Sequence, residues 1–186
     1  MLDISRLQPD IVIAAGEAYG SGAHPSTALM IQALQGVIKA QPEIKYILDI
    51  GCGSGVLSIV TAKMLPEANI IASDTNIHAP EFTMHNAQIN HVGSQVTAIR
   101  ADGVQHDMIR SYAPYDLILC NILADVLISI LPDIARCLKS QSIAILGGIR
   151  KQYEPLLHDA LRFTSLSHIT TIEQTEWLAM IVRNET

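Results

Sequence analysis

The sequence predicts an α/β fold, a three-layer sandwich whose mainly parallel sheet is covered by helices on both faces. Strand-like and helix-like apolar segments alternate along most of the chain, which is typical of parallel strands joined by right-handed crossovers. The run Leu117-Ile118-Leu119 is continuously apolar, as expected of a strand that is buried on both faces. At 186 residues the chain is long enough for one domain with a sizeable core.

The predicted elements follow one another in a regular order. Residues 10–14 could form a short strand, and a helix is expected from Pro25, where apolar residues recur at intervals of three and four. Further strands are predicted at residues 46–50, 69–73, 96–100, 115–120, 142–146, 166–172 and 177–183, and helices at residues 56–65, 79–90, 126–138 and 151–161. Pro132 predicts a kink, or a division into two helices. The last two strands should form an antiparallel hairpin at one edge.

Composition and charge exclude several classes of protein. Hydrophobic residues make up 49% of the chain and charged residues 16%, which is typical of a well-packed globular protein. The net charge of -6 argues against a direct nucleic-acid partner. Cys52, Cys120 and Cys137 show neither metal-ligand nor disulfide spacing, so we expect no metal and a reducing cytoplasm. No apolar run reaches membrane-spanning length, so no membrane partner is expected.

The most informative motif is Asp49-Ile50-Gly51-Cys52-Gly53-Ser54-Gly55, which directly follows the apolar run 46–48. A carboxylate at a strand end precedes three glycines at alternate positions. Glycine permits a sharp turn and a close approach of a ligand to the backbone. The N–H groups at the start of the following helix can then face that ligand. A tight turn without a ligand is the plain alternative.

The spacing of this motif distinguishes between two classes of ligand. A dinucleotide fingerprint reads Gly-x-Gly-x-x-Gly, whereas here Asp49 stands just before the glycines. This carboxylate would repel a pyrophosphate, but it could accept a hydrogen bond from the ammonium group of a methionine moiety. We therefore expect Gly51, Gly53 and Gly55 to line a site for S-adenosyl-L-methionine. A nicotinamide-dependent oxidoreductase is the less favoured alternative.

Polar residues end three further strands, and ligands of doubly wound sheets bind beyond the carboxyl ends of the strands. Asp74 could bind the ribose diol, or it could cap the next helix. Asp102 could accept a hydrogen bond from the adenine amino group, or belong to an ordinary Asp-Gly turn. With Asp49 and Asn121 they make four polar strand ends in succession, which indicates a binding site more strongly than any one of them.

Asn121 is the candidate catalytic residue. Its side-chain oxygen and the adjacent backbone carbonyl could hold a neutral amine with its lone pair aimed at a sulfonium methyl group. Methyl transfer is an in-line displacement in which positioning supplies much of the acceleration. The alternative for Asn121 is a cap or turn residue. The glycine-containing loop Tyr19–Thr27 could fold over the cofactor, and His24 could be a base there, although a lone histidine is more often structural.

Three segments together resemble the ribosomal protein L-eleven methyltransferase (PrmA) family of class I S-adenosylmethionine-dependent methyltransferases. They are Ala18–Thr27, Asp49–Gly55 and Cys120–Asp125, and the end Glu176–Ala179 is similar as well. The resemblance implies a Rossmann-like methyltransferase fold of seven strands, the last one antiparallel. It also implies cofactor contacts at Thr27, Gly51, Asp74 and Asn121. The reaction it implies is methylation of lysine and α-amino groups of a ribosomal protein.

The N-terminus departs from the family pattern. Members of the family usually carry a separate N-terminal domain that recognises the ribosomal protein, whereas this chain begins almost at the cofactor loop. We therefore expect residues 1–186 to form a single cofactor-binding domain, with residues 1–24 as N-terminal segment and cofactor loop, and no separate recognition domain. The acceptor is left open between the ribosomal protein, another protein and a small molecule. A cofactor-binding subunit that needs a partner is a further alternative.

Overall fold

The computed structural model describes residues 11–14, 24–41 and 43–186. Its strands are β1 (Tyr46–Ile50), β2 (Asn69–Asp74), β3 (Val96–Arg100), β4 (Tyr115–Asn121), β5 (Leu138–Arg150), β6 (Leu166–Gln174) and β7 (Trp177–Asn184). Its helices are α1 (Pro25–Ala40), α2 (Val56–Met64), α3 (Ala79–Ile89), α4 (Asp107–Tyr112), α5 (Ala124–Cys137) and α6 (Glu154–Leu161), and a 3-10 turn spans Lys151–Tyr153.

The strands form one sheet in the order β3-β2-β1-β4-β5-β7-β6. The pairs β1–β2, β2–β3, β1–β4 and β4–β5 are parallel, whereas β7 is antiparallel to both β5 and β6. The predicted seven-stranded sheet with a reversed last strand and an edge hairpin is therefore confirmed. The strand order reverses between β1 and β4, and in such sheets that switch point is where ligands bind.

Two apolar clusters cover the sheet, one on each face. Along β4, Leu117 and Leu119 pack with α1, α2 and α3, whereas Ile118 and Cys120 pack with α4, α5 and α6. Each fully buried side chain of this kind stabilises the fold by about 1.5–3 kcal/mol relative to exposure. The continuous apolar run that the sequence analysis noted serves both faces, and the three-layer sandwich is confirmed.

The helix around Pro132 is continuous from Ala124 to Cys137, so its expected division into two helices is wrong. Leu131 and Ile134 on either side of the proline are fully buried against the sheet. Burial of that apolar face outweighs the single backbone hydrogen bond that a proline removes.

The short helix α4 was not predicted. Its six residues are too few for an apolar period to stand out. The His106 side chain caps it, because Nδ1 accepts a hydrogen bond from the Met108 backbone N–H at 3.2 Å.

The segment 11–14 is not a strand in the structure, which corrects the strand predicted at 10–14 for its described residues. Its backbone is bound by side chains of α3 and of the residue that follows α3. The Val12 N–H donates to Asn90 Oδ1 at 2.9 Å, and the Ala14 N–H donates to Asn86 Oδ1 at 3.0 Å. The segment therefore docks on a helix, and these side chains replace the backbone partners that a sheet would supply.

Strand β5 extends beyond its predicted end. The two glycines after residue 146 predict the end of the strand there, but the strand continues to Arg150. Its pairing with β7 shifts register between Leu146 and Ile149. We call Gly147 and Gly148 the glycine bulge, because an extra residue is accommodated there without ending the strand. It lies at the carboxyl edge of the sheet, beside Asn121.

Within the described ranges, no helix has both the length and the apolar character needed to cross a membrane.

Candidate functional site

The glycine motif forms the tight turn between β1 and α2. Gly51, Gly53 and Gly55 all have positive φ angles, +76°, +54° and +80°, which side chains with a Cβ rarely adopt. The Gly51 and Cys52 N–H groups donate to the Ser73 carbonyl at 2.7 and 3.0 Å, which ties the turn to the end of β2. The turn predicted from the glycine spacing is therefore present, and its role in cofactor binding stays a prediction.

Asp74 joins the end of β2 to this turn. Its Oδ2 accepts a hydrogen bond from the Gly53 N–H at 2.9 Å, and its Oδ1 accepts one from the Asn76 N–H at 2.8 Å. Each oxygen keeps a lone pair that can accept from a hydroxyl group. The following helix is preceded by His78 at its cap position, so the alternative of Asp74 as a helix cap is wrong.

Asp49 lies behind the turn, with only 1% of its surface exposed. Its Oδ2 accepts a hydrogen bond from the Ser58 hydroxyl at 2.6 Å, whereas its buried Oδ1 has no hydrogen-bond partner among the described residues. Burial raises the pKa of this carboxyl to about 6, against the opposing effect of the Ser58 hydrogen bond. A buried oxygen of this kind is costly unless a donor completes it.

Asn121 ends β4 and faces the first turn of α1. Its Nδ2 donates to Thr27 Oγ1 at 3.5 Å, the outer limit of a hydrogen bond, across 94 positions of sequence. Its Oδ1 is buried, and the described part of the chain provides no partner for it. Thr27 is itself buried. The structure thus brings together Thr27 and Asn121, two of the residues at which the resemblance implies cofactor contacts, and those contacts stay a prediction.

Ile122 packs between two glycines, a relationship that the sequence analysis missed. A Cβ on Gly51 would lie 2.3 Å from Ile122 Cγ2, and a Cβ on Gly148 would lie 2.2 Å from the Ile122 carbonyl oxygen. Gly51 is therefore needed for close packing inside the protein, besides any approach of a ligand. The recurrence of glycines at strand ends is the sequence signal that could have indicated this close packing.

Helix α3 supports the motif turn from the other side. Thr83 Oγ1 lies 3.3 Å from the Gly53 carbonyl oxygen, and Asn86 Nδ2 donates to the Ser54 carbonyl at 2.8 Å. A Cβ on Gly55 would lie 2.8 Å from Thr83 Cγ2. Neither Thr83 nor Asn86 is among the site residues predicted from the sequence. Their spacing of three, with a further asparagine four residues on, places polar groups on one buried face of a helix, which was a usable signal.

Asp102 is exposed and stands apart from these contacts. Its backbone carbonyl accepts a hydrogen bond from the Gln105 N–H at 3.0 Å, and Gly103 has a φ of +54°. The Asp-Gly turn that the sequence analysis left open is thus present. A contact of the Asp102 side chain with an adenine stays a prediction.

The loop predicted at Tyr19–Thr27 lies outside the described residues up to position 23. From there on, His24 caps α1, since its Nδ1 accepts a hydrogen bond from the Ser26 N–H at 3.3 Å. Its ring lies edge-on to Trp177, with 4.6 Å between ring centroids. These contacts favour the structural role of His24 over that of a base.

The donor and acceptor chemistry of the site suits S-adenosyl-L-methionine. The candidate side chains at the strand ends are the carboxylates of Asp49, Asp74 and Asp102 and the amide of Asn121, all of which offer acceptor oxygens. The ammonium, ribose and adenine amino groups of that cofactor are donors. Two of the acceptor oxygens are buried and lack partners among the described residues, so the residues present fit the group. The described residues hold no cluster of three metal-ligating side chains.

Comparison with known proteins gives the family. The family model for ribosomal protein L11 methyltransferase (PrmA) matches residues 7–185. The chain belongs to this family. The resemblance predicted from the sequence is therefore confirmed.

Relatives of the chain carry the same description. It is 33% identical to a ribosomal protein L11 methyltransferase of Agrobacterium fabrum, over 98% of this chain and 63% of the relative. It is 36% identical to that of Campylobacter lari, over 95% of this chain and 59% of the relative. The chain thus spans less than two thirds of the length of these relatives. The expectation of a single domain with no separate recognition domain stays a prediction.

Solved structures share the fold. A ribosomal protein L11 methylase from Lactobacillus delbrueckii subsp. bulgaricus superposes with a TM-score of 0.80 at 23% identity, covering 94% of this chain and 84% of that chain. The N-methyltransferase NodS from Bradyrhizobium japonicum, in complex with S-adenosyl-L-homocysteine, gives a TM-score of 0.69 at 15% identity, covering 92% and 94%. The Rossmann-like methyltransferase fold is therefore confirmed.

Proposed function

We propose that this chain is an S-adenosyl-L-methionine-dependent N-methyltransferase whose acceptor is an amino group of ribosomal protein L11. Membership of the family supports the reaction and the acceptor. The observation that carries the proposal is the buried Oδ1 of Asn121, which no described residue satisfies, at the strand end next to the glycine turn. An acceptor oxygen held there is suited to bind an N–H of an amine.

Each part of the cofactor has a proposed partner in the site. Asp49 accepts from the ammonium group, Asp74 accepts from the ribose diol, and Asp102 accepts from the adenine amino group. The larger set of cofactor-binding residues is Thr27, Asp49, Gly51, Gly53, Gly55, Asp74, Asp102 and Asn121. When bound, the cofactor supplies an electrophilic methyl group on a sulfonium.

Asn121 orients the acceptor amine. Its Nδ2 is directed to Thr27, so its Oδ1 is the atom that accepts an N–H of the amine and fixes the direction of the nitrogen lone pair. The amine must be neutral to attack, and a site that removes it from water favours the neutral form. Positioning of this kind can supply several kcal/mol of the barrier reduction.

The protein is proposed to act in the cytoplasm on a protein substrate, without direct contact to nucleic acid or membrane. The net charge of -6 disfavours binding to phosphate backbones. Cys52, Cys120 and Cys137 are free thiols and buried, which is compatible with a reducing compartment.

The experiment is transfer of a radiolabelled methyl group from S-adenosyl-L-methionine to purified ribosomal protein L11, with calorimetric titration of S-adenosyl-L-homocysteine in parallel. We expect labelled L11 with the native chain and a large loss with Asn121→Ala. If S-adenosyl-L-homocysteine does not bind, the cofactor assignment is overturned. Binding without transfer to L11 would instead assign the chain another acceptor or a requirement for a partner.

A further inference from the structure

The glycine bulge approaches the segment after β4 more closely than any other residue type allows. Gly148 has a φ of +73°, and a Cβ placed on it would lie 2.2 Å from the carbonyl oxygen and 2.9 Å from the carbonyl carbon of Ile122. These are backbone atoms, which cannot rotate away as the tip of a side chain can. Gly148 therefore sets the distance between β5 and the backbone of Ile122.

Gly147 has the same relationship with the candidate catalytic atom. It is the register partner of Asn121 in the pairing of β4 with β5. A Cβ on Gly147 would lie 3.0 Å from Asn121 Oδ1 and 2.5 Å from Met30 Sδ. The two glycines thus abut, in order, the side-chain oxygen of Asn121 and the backbone carbonyl of Ile122.

The glycine motif contacts the opposite side of the same segment. Ile122 Cγ2 fills the space where a Cβ of Gly51 would stand. The segment Asn121-Ile122 is therefore held between the turn after β1 and the glycine bulge of β5. Bulges are common next to active sites, where they redirect the chain.

We propose that Gly147 and Gly148 are positioning residues for methyl transfer. They hold Asn121 Oδ1 and the Ile122 carbonyl at a fixed place relative to the glycine turn, and so determine the direction from which the acceptor amine approaches. The inference rests on the proposed function. It assigns the two glycines no contact with cofactor or acceptor.

Gly148→Ala is the first test, in the full chain with L11 as acceptor. A displacement of about 1 Å in a reacting geometry can cost roughly 100-fold in rate, so we expect kcat to fall by about that factor. The Kd of S-adenosyl-L-homocysteine should rise far less than kcat falls, because Asp49, Asp74 and Asp102, which are proposed to bind its ammonium, ribose and adenine groups, come from other strand ends and only Asn121 of the proposed cofactor-binding set borders the bulge. Gly148→Asn distinguishes backbone strain from the clash of the Cβ atom, since asparagine tolerates a positive φ but carries the same Cβ. The asparagine variant should be as slow as the alanine variant.

A second variant tests the proposal without adding a side chain at a position of positive φ. Gly147→Ala in a Met30→Ala background has room at the former Met30 sulfur, so the new methyl group meets mainly Asn121 Oδ1. Its reference is Met30→Ala alone, and Gly36→Ala is the control for a glycine replacement, because a Cβ there meets nothing among the described residues within 4 Å. The side-chain amide resonances of Asn121 in ¹H-¹⁵N spectra should shift in both bulge variants and not in Gly36→Ala.

The outcomes separate this inference from the proposed function. A native chain that binds S-adenosyl-L-homocysteine but does not methylate L11 contradicts the proposed acceptor, and the Asn121 amide shifts then decide on the bulge. Unchanged kcat in Gly148→Ala, recovery in Gly148→Asn, parallel loss of cofactor affinity and rate, or unmoved Asn121 resonances would each overturn the positioning role.

Discussion

Asn121 donates from its Nδ2 to Thr27 Oγ1 at 3.5 Å across β4 and α1, while its buried Oδ1 has no hydrogen-bond partner among the described residues. The two ends of an asparagine amide have opposite hydrogen-bond character. An acceptor on α1 therefore holds Nδ2, and Oδ1 is left to accept from another donor. The bond is long. Mutation of Thr27 tests how far it fixes the orientation of the Asn121 amide.

Thr27→Val should slow methyl transfer by more than it weakens cofactor binding, to which Thr27 is also proposed to contribute. Valine has nearly the same shape, but it cannot accept from Asn121 Nδ2, and a net hydrogen bond of about 0.5–1.5 kcal/mol corresponds to roughly 2–10-fold in kcat. Thr27→Ser keeps the acceptor and is the matched control. Single-turnover rates at saturating cofactor give the comparison. Equal rates for the valine and serine variants would show that Thr27 does not orient Asn121.

Asp74→Asn should weaken binding of S-adenosyl-L-homocysteine by about 10-fold or more, since a hydrogen bond to a charged group contributes about 1.5–3 kcal/mol. It would also perturb the contacts with the Gly53 and Asn76 N–H groups. Isothermal titration gives the Kd. Asp159→Asn, an exposed carboxylate on α6, is the control and should bind as the native chain does. If both variants bind equally well, Asp74 is not a cofactor ligand.

Asp49→Asn should stabilise the fold without cofactor, while weakening cofactor binding. The folded-state pKa of about 6 lies above the ordinary value of 3.8, so the folded state binds more protons between these values. The contribution of Asp49 to the free energy of unfolding should therefore fall as pH rises from about 4 to 6, by about 3 kcal/mol at most.

Urea unfolding of both proteins between pH 4 and pH 8 measures this effect. The asparagine variant should lose the pH-dependent part that belongs to position 49. Binding of S-adenosyl-L-homocysteine to the native chain should weaken below about pH 6, where Asp49 gains a proton. A pH profile of stability that is identical in the two proteins would contradict the raised pKa.

Asn86→Ala should destabilise the protein by about 1–3 kcal/mol, because it leaves the Ser54 carbonyl and the Ala14 N–H without this partner. The midpoint of urea unfolding reports the change. His85→Ala, an exposed neighbour on the same helix, should have little effect. A loss of stability that is equal in the two variants would mean that these hydrogen bonds are not responsible for it, since alanine itself favours a helix over either residue.

Local patterns predicted the strands, most helices and the polar strand ends. They did so because alternation, apolar period and glycine spacing are properties of neighbouring residues. The mainly parallel direction of the strands and the edge hairpin also followed, since the length of the connections limits the topology.

What the sequence could not reveal depends on contacts between distant residues. Gly147 and Gly148 look like a strand end until the partner of each is known, and that partner is the segment Asn121-Ile122. Pro132 looks like a helix break until the burial of its neighbours is known. Asn86 is an ordinary polar residue of a helix until the segment 11–14 docks on it.

The position of β7 has a consequence for how the chain folds while it is being synthesised. This strand follows β6 in sequence, but it lies between β5 and β6 in the sheet. In the sheet of the described residues, β6 reaches the other strands only through β7. A nascent chain that has emerged from the ribosome only as far as β6 therefore exposes an unpaired edge of β5, and a stop codon in front of Trp177 leaves both strands open to pairing with other chains.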